Sequence, residues 1–197
     1  MKIIFCLLST MLLSAPVAFA AKTVAKTTTT SDHQYNFRFG AISLLAGAIN
    51  VNMDFAIAPE WTVGPELMYW HYKIDPDPIF TSKYDVTTSS LGIRANWFKN
   101  GNYTDGLYLG PSLRYVNIKL TTADSIGEVS GTASGLFAEC LVGYGWFWSS
   151  FNQMLGAGFS SGVGTTKISV TDSSGRVTEV SSVFSGLALE YTLGWTF

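Results

Sequence analysis

Apolar and polar residues alternate with a period of two along most of the chain from Tyr35 onward. The pattern is clear in Tyr35–Ile42, with the sequence YNFRFGAI, and clearest in Val183–Phe197. Successive strand residues point to opposite faces of a sheet, so this period predicts strands with one apolar and one polar face. About eight such segments can be distinguished, and the seventh, around Leu155–Ser160, is the least regular.

The connections between these segments alternate in length. Compact connections at Ala58–Glu60, Lys99–Gly106 and Trp148–Asn152 alternate with longer polar ones at Asp75–Lys83, Leu120–Gly131 and Thr165–Ser182. Short turns at one end and long loops at the other are typical of outer-membrane β-barrels. The connection near Leu45–Ala48 departs from this rule, being short and apolar where a long loop is expected.

Aromatic residues cluster near the ends of the predicted strands. Tryptophans at 61, 97, 146 and 148 lie beside the compact turns, whereas Tyr69 and Tyr115 lie near the long loops. Transmembrane barrels carry such aromatic girdles at both membrane interfaces. A water-soluble, lipocalin-like barrel would show the same alternation with its apolar face inside, but it has no reason to sort tryptophan in this way. The expected aromatic girdle comprises Trp61, Trp97, Trp146, Trp148, Tyr69 and Tyr115.

Charged residues of both signs occupy mid-strand positions on the polar face. An eight-stranded barrel has an interior that side chains can just fill, and buried charges there must pair because an unpaired one is costly. The sequence therefore predicts one charge network in the lumen, formed by Arg38, Asp54, Glu66, Arg94, Arg114, Glu139 and Glu190.

Composition supports a barrel in a membrane. Apolar residues make up 47% of the chain and charged residues 13%, against a usual charged share of about 25%. No segment after the amino-terminal region has the 18 or more consecutive apolar residues of a transmembrane helix. The remaining architecture that satisfies every backbone polar group inside a bilayer is a closed antiparallel up-and-down β-barrel. The formal net charge of −2 does not suggest nucleic-acid binding.

The amino-terminal region predicts export. Lys2 is followed by an apolar stretch and by Ala18-Phe19-Ala20, a small-residue cleavage pattern, so residues 1–20 are expected to be a cleaved signal peptide. Residues 21–33 are polar and Thr-rich, which predicts a flexible periplasmic linker, and residues 34–197 would form the barrel. Cys140 would then be the sole cysteine of the mature chain, so no intrachain disulfide is expected.

The carboxyl-terminal strand resembles the targeting signal of outer-membrane proteins. Its alternating residues Tyr191, Leu193, Trp195 and Phe197 match that signal, which the barrel-insertion machinery reads during assembly. By strand number and layout the chain also resembles the small barrels of the OmpX type and the transmembrane domain of OmpA. The resemblance implies a location in the outer membrane of a Gram-negative cell. It does not imply the peptidoglycan-binding role of OmpA, since that role belongs to a further domain.

No pattern of residues indicates catalysis. His71 is not followed by the serine that lipid-deacylating barrels place two positions on, and no zinc spacing, calcium loop or phosphate loop occurs. No enzyme activity, cofactor or metal is expected. The leading hypothesis is a structural or surface-interaction role through the extracellular loops, in contact with outer-membrane lipid and lipopolysaccharide. The alternative is a narrow, porin-like pore or a lateral route for small hydrophobic molecules, as in the OmpW type.

Overall fold

The computed structural model of the protein describes residues 33–75, 83–124, 127–171 and 174–197. The expected signal peptide, residues 1–20, and the expected linker up to residue 32 lie outside these ranges. The described residues form a closed antiparallel β-barrel with eight strand positions, which confirms the predicted fold class.

Nine strands form the barrel wall because two of them share the eighth position. Their bounds are β1 Tyr35–Gly40, β2 Ala48–Ala58, β3 Trp61–Ile74, β4 Lys83–Phe98, β5 Gly106–Asp124, β6 Gly127–Trp148, β7 Phe151–Thr171, β8 Val177–Ser182 and β9 Ser185–Thr196.

The barrel closes where β1 pairs with β9. Asn36 lies opposite Thr196 across this closure. Moving from Asn36 to the residue opposite it on the next strand, and so on around the barrel in the register of each strand pair, returns to β9 at Gly186 instead. This stagger means that the strands are tilted relative to the barrel axis.

The eighth strand position is interrupted, so the prediction of one continuous strand over Val183–Phe197 is wrong at its start. β7 pairs with β9 in one register up to Ser161 and with β8 in a shifted register from Thr166. Between these points Gly164 has a φ of 80°, in the left-handed region that favours glycine. The bend there separates the two registers and leaves Val183 and Phe184 between the strands.

A one-turn helix, α1 (Ala41–Leu45), directly follows β1 where the strand is expected to continue. The prediction that the first strand continues to Ile42 is therefore wrong, and the pairing of β1 with β9 ends at Gly40 and Thr192. None of the helices in the described ranges is long and apolar enough to cross a membrane.

The short apolar connection near Leu45–Ala48 is the turn that leads from α1 into β2. Leu45 is 88% exposed on the outer surface. The indole nitrogen of Trp70 donates a hydrogen bond to the carbonyl oxygen of Ala46 at 3.0 Å. An apolar sequence is thus accommodated outside the barrel, and the turn is held by a side chain from β3.

Three strands are about twice as long as a bilayer requires. β5, β6 and β7 contain 19, 22 and 21 residues, whereas about 9–11 residues span a membrane. The predicted loops at Leu120–Gly131 and Thr165–Ser182 are consequently wrong over most of their length, because β5 pairs with β6 as far as Asp124 and Gly127. These segments are rich in Thr, Ser and Val, which suit a strand whose two faces both meet water. For the loop expected at Asp75–Lys83, residues 76–82 lie outside the described ranges.

The barrel is apolar outside and polar inside. Leu187 and Leu189 on the outer face are 90% and 64% exposed, whereas Arg38 and Asp54 in the lumen are 0% and 1% exposed. We call the end with the compact turns the turn end, and the opposite end, where the long strands project, the extended end.

Candidate functional site

The lumen contains a continuous network of ion pairs, which we call the ionic layer. It consists of the seven charged side chains expected from the sequence: Arg38, Asp54, Glu66, Arg94, Arg114, Glu139 and Glu190. All seven occupy inward-facing positions, and every one of them except the partly exposed Arg114 is buried.

Arg94 is the centre of the ionic layer. Its Nη2 atom lies 2.9 Å from Glu66 Oε2 and 3.1 Å from Glu139 Oε1, and its Nη1 atom binds Glu190. These carboxylates come from β3, β6 and β9. One guanidinium therefore joins four strands, and its planar set of donors is suited to contacting several carboxylates at once.

Two further arginines extend the ionic layer in opposite directions. Arg38 binds both carboxylate oxygens of Asp54, with Nε–Oδ2 at 2.8 Å and Nη2–Oδ1 at 3.1 Å, and it reaches Glu190 at 3.3 Å. Arg114 binds the second oxygen of Glu139. The network consequently runs without interruption from Asp54 to Arg114.

Buried amides continue the polar packing toward the turn end. Asn96 donates a hydrogen bond to Asp54 Oδ1 at 3.0 Å, and Asn152 donates one to Asn36 Oδ1 at 2.8 Å. Asn36, Asn96 and Asn152 are each fully buried. Because these side chains reach across the lumen to one another, they help to fill it.

An apolar cluster fills the other side of the lumen near the turn end, and we call it the apolar plug. It consists of Phe98, Tyr108, Leu141 and Met154, whose exposed fractions are at most 1%. The ring centroids of Phe98 and Tyr108 lie 6.1 Å apart. Together with the ionic layer, the apolar plug occupies the lumen from the turn end to the middle of the barrel.

The connection between β4 and β5 covers the lumen at the turn end. Tyr103 in this turn is 5% exposed, and its hydroxyl donates a hydrogen bond to the backbone oxygen of Asp54 at 3.2 Å. Its ring lies 6.4 Å from that of Phe98. A segment expected to be a simple turn therefore forms part of the packed interior.

Sequence reasoning did not identify the apolar plug. The alternation along the strands could have identified it, because Tyr108 and Leu141 occupy inward-facing positions within otherwise apolar runs. Position in the alternation would have predicted an inward side chain whatever its polarity.

The expected aromatic girdle is split between the two ends of the outer surface. Trp61 pairs with Trp97 at the turn end, where Trp97 also donates a hydrogen bond to Glu60 at 3.1 Å. Trp146 and Trp148 precede the turn between β6 and β7 at the same end. Tyr69 and Tyr115 are about half-exposed, at 50% and 51%, toward the extended end.

The residues of the expected targeting strand occupy alternate, outward-facing positions of β9 and the residue after it. Trp195 is 42% and Phe197 is 68% exposed, and Tyr191 and Leu193 are half-buried. The backbone nitrogen of Phe197 donates a hydrogen bond to the carbonyl oxygen of Tyr35 at 2.9 Å, which continues the closure between β1 and β9.

Within the described ranges, no group of three or more His, Cys, Asp or Glu side chains could hold a metal ion. His71 lies on the outer surface toward the extended end, where its Nε2 atom is 3.1 Å from Asp85 Oδ1. Cys140 is exposed on the outer face of β6.

Replacing Arg94 by alanine is expected to destabilise the barrel by about 3–5 kcal/mol, because three buried carboxylates lose a shared partner. Arg114→Ala is the matched comparison, since among the described residues Arg114 forms an ion pair with Glu139 only, and its side chain is 20% exposed. Urea unfolding in lipid vesicles measures both effects, and the Arg94 variant should show the larger loss. Equal midpoints for the wild type and Arg94→Ala would contradict the central role of Arg94.

Comparison with protein-family models finds no match, and comparison with curated proteins finds none either. Among solved structures, the chain is similar to a major outer membrane protein from Thermus thermophilus. The two share 10% sequence identity with a TM-score of 0.58, over 85% of this chain and 100% of the other. At this identity the similarity shows the fold, which is that of an outer-membrane β-barrel.

Proposed function

We propose that this chain is a non-conducting outer-membrane barrel that presents a projecting β-sheet at the cell surface. One observation carries the proposal: the lumen is filled while the strands continue far beyond the length that a bilayer requires. The apolar outer face and the aromatic residues at both ends support the membrane location. Under this proposal the turn end faces the periplasm and the extended end faces outward, as in outer-membrane barrels with short periplasmic turns.

The projecting sheet has the features of an interaction surface. Among the strands that the structure describes, β8 pairs with β7 alone, so within these residues its other edge has no strand partner. An exposed strand edge can pair with another chain. We propose that this edge and the faces of the projecting strands meet an extracellular partner, in the role that the sequence assigns to the loops.

The proposal also includes assembly by the barrel-insertion machinery and contact with outer-membrane lipid and lipopolysaccharide. The alternating outward side chains of Tyr191, Leu193, Trp195 and Phe197 support the first, since a partner could bind them from one side. The resemblance to OmpX and to the OmpA transmembrane domain belongs here as well, with eight strand positions as its support.

A second candidate function is a lateral route for small apolar molecules, and it is favoured by a chamber above the ionic layer. The chamber has a volume of about 300 Å³. It is lined by Met68, Arg114, Val116, Ile118, Ala133, Ser134, Phe137, Ser160, Thr166 and Phe184. A mostly apolar lining is unusual in a barrel lumen, which is ordinarily polar.

A gap in strand pairing lies next to this chamber. Phe184 lines the chamber and immediately precedes β9. From Ser185 to Tyr191, none of the described strands pairs with β9 on the side of β1, where α1 takes the place of a strand. An apolar molecule leaving the outer leaflet could therefore enter beside α1 without breaking strand pairs.

Conductance tests the filled lumen. Purified wild-type protein in planar bilayers is expected to produce no discrete ion conductance, because the buried ionic layer and the apolar plug lie across the lumen. A general porin reconstituted in parallel is the positive control. Reproducible single-channel steps from the purified protein would contradict the proposal.

Labelling of intact cells tests the orientation. In a Cys140→Ser background, Thr178→Cys on β8 should react with a maleimide attached to a large polymer that cannot cross the outer membrane. Ser149→Cys in the turn between β6 and β7 is the control, and it should react after permeabilisation alone. The reverse pattern would show that the extended end faces the periplasm.

Binding of an apolar fluorescent probe tests the second candidate. N-phenylnaphthylamine should show saturable fluorescence with the protein in nanodiscs, relative to empty nanodiscs, and Ile118→Lys should reduce its affinity at least several-fold. Thr122→Lys is the matched control, on the same face of β5 but outside the lining of the chamber. Unchanged binding in the Ile118 variant would reject the chamber as the site.

A further inference from the structure

Basic side chains collect on the outer surface of β3, β4 and β5, directly beyond the level of Tyr69. Strand pairing places the outward positions in successive rows toward the extended end: Leu67–Leu91–Tyr115, Tyr69–Ser89–Asn117, His71–Thr87–Lys119, Lys73–Asp85–Thr121 and Lys83–Ala123. The rows change from apolar to aromatic and then to charged. This order matches the passage from the hydrocarbon region through the interface to the headgroup region of a bilayer.

The carboxylate of Asp85 contacts two basic neighbours. Its Oδ1 atom lies 3.1 Å from His71 Nε2, and its Oδ2 atom lies 3.6 Å from Lys73 Nζ. Slight desolvation would raise the pKa of the Asp85 carboxyl, but the hydrogen bonds and charges of His71 and Lys73 outweigh it and lower the pKa. The carboxylate therefore stays ionised and keeps these two partners.

Two lysines remain beside a depression on this surface. Lys83 and Lys119 line it together with Ala123, the hydroxyl-bearing Thr87 and Thr121, and Asp85, and its volume is about 260 Å³. The Asp85 carboxylate in this lining is the one paired with His71 and Lys73. Among the described residues, no ion pair involves either lysine. Ammonium and hydroxyl groups are donors that suit the oxygens of a phosphate.

We propose that this depression binds the phosphate of an anionic lipid headgroup in the outer leaflet, with Lys83 and Lys119 as its charged contacts. The height just beyond the tyrosine rows and the outward direction of the side chains favour a lipid over a soluble ligand. Thr87 and Thr121 supply hydroxyl donors between the two lysines. The inference rests on the proposed orientation, because it assigns the outer face at this height to the outer leaflet.

Lipid retention in native mass spectrometry tests this site. Wild-type protein is reconstituted with bis-phosphorylated lipid A or with enzymatically dephosphorylated lipid A, and the affinity for each is measured by titration. The double variant Lys83→Gln/Lys119→Gln should bind the phosphorylated lipid about thirtyfold more weakly, since each of the two lysines near a headgroup contributes on the order of 1 kcal/mol. It should bind the dephosphorylated lipid as the wild type does.

Lys99→Gln is the control variant, because Lys99 lies exposed in the turn at the opposite end of β4. It should leave both affinities unchanged. Equal binding of the two lipids by the wild type, or an unchanged affinity in the double variant, would overturn the proposal.

A separate titration with inorganic phosphate distinguishes a lipid from a soluble ligand. Lysine-dependent binding of inorganic phosphate as tight as that of lipid A would overturn the assignment to a lipid. The labelling of Thr178→Cys described above reports orientation independently, so a reversed barrel can be told apart from a failed lipid site.

Discussion

The interaction on which the rest of the barrel depends is the contact of the Arg94 guanidinium with carboxylates from three other strands. Glu66, Glu139 and Glu190 approach it from different strands of the wall, and Glu190 also forms an ion pair with Arg38. Buried charges of opposite sign compensate one another when they are paired, and removing one partner leaves a buried charge that destabilises the fold. The same side chains that join separate strands of the wall also occupy the lumen, so one set of contacts both supports the wall and fills the interior.

Strand pairing in the barrel wall is interrupted where β1 is short. Six residues of strand do not span a bilayer, and the one-turn helix α1 follows β1 directly. At the end of α1 the backbone nitrogens of Ala46 and Gly47 donate hydrogen bonds to carbonyl oxygens of the helix, so this segment pairs part of its backbone locally and not with β9. The consequence is a segment of β9 that pairs with β7 but has no strand neighbour among the described residues on the side of β1, next to an apolar chamber. This seam is the basis of the second candidate function, which is distinct from that of the projecting surface.

Toward the extended end, the types of residue along the same strands change. β5, β6 and β7 continue as a sheet with water on both sides, and the outward residues of β3, β4 and β5 pass from leucine through tyrosine to lysine. Under the two proposals, the lysine rows would contact lipid at the membrane surface and the projecting sheet would contact the exterior. Both follow from strand length, which exceeds what the membrane requires.

The sequence by itself determined the barrel and the two faces of its wall, because a period of two assigns each side chain to one face. It also identified which charges share the lumen, since Arg38, Arg94 and Glu190 lie on the polar face. It could not show that Arg94 meets Glu190, because that contact depends on the tilt and stagger of strands far apart in sequence. Polar Thr- and Ser-rich segments such as Leu120–Gly131 suit a loop or a water-exposed strand equally well, as neither needs an apolar face. Only the tertiary structure, through pairing with neighbouring strands, decided between them.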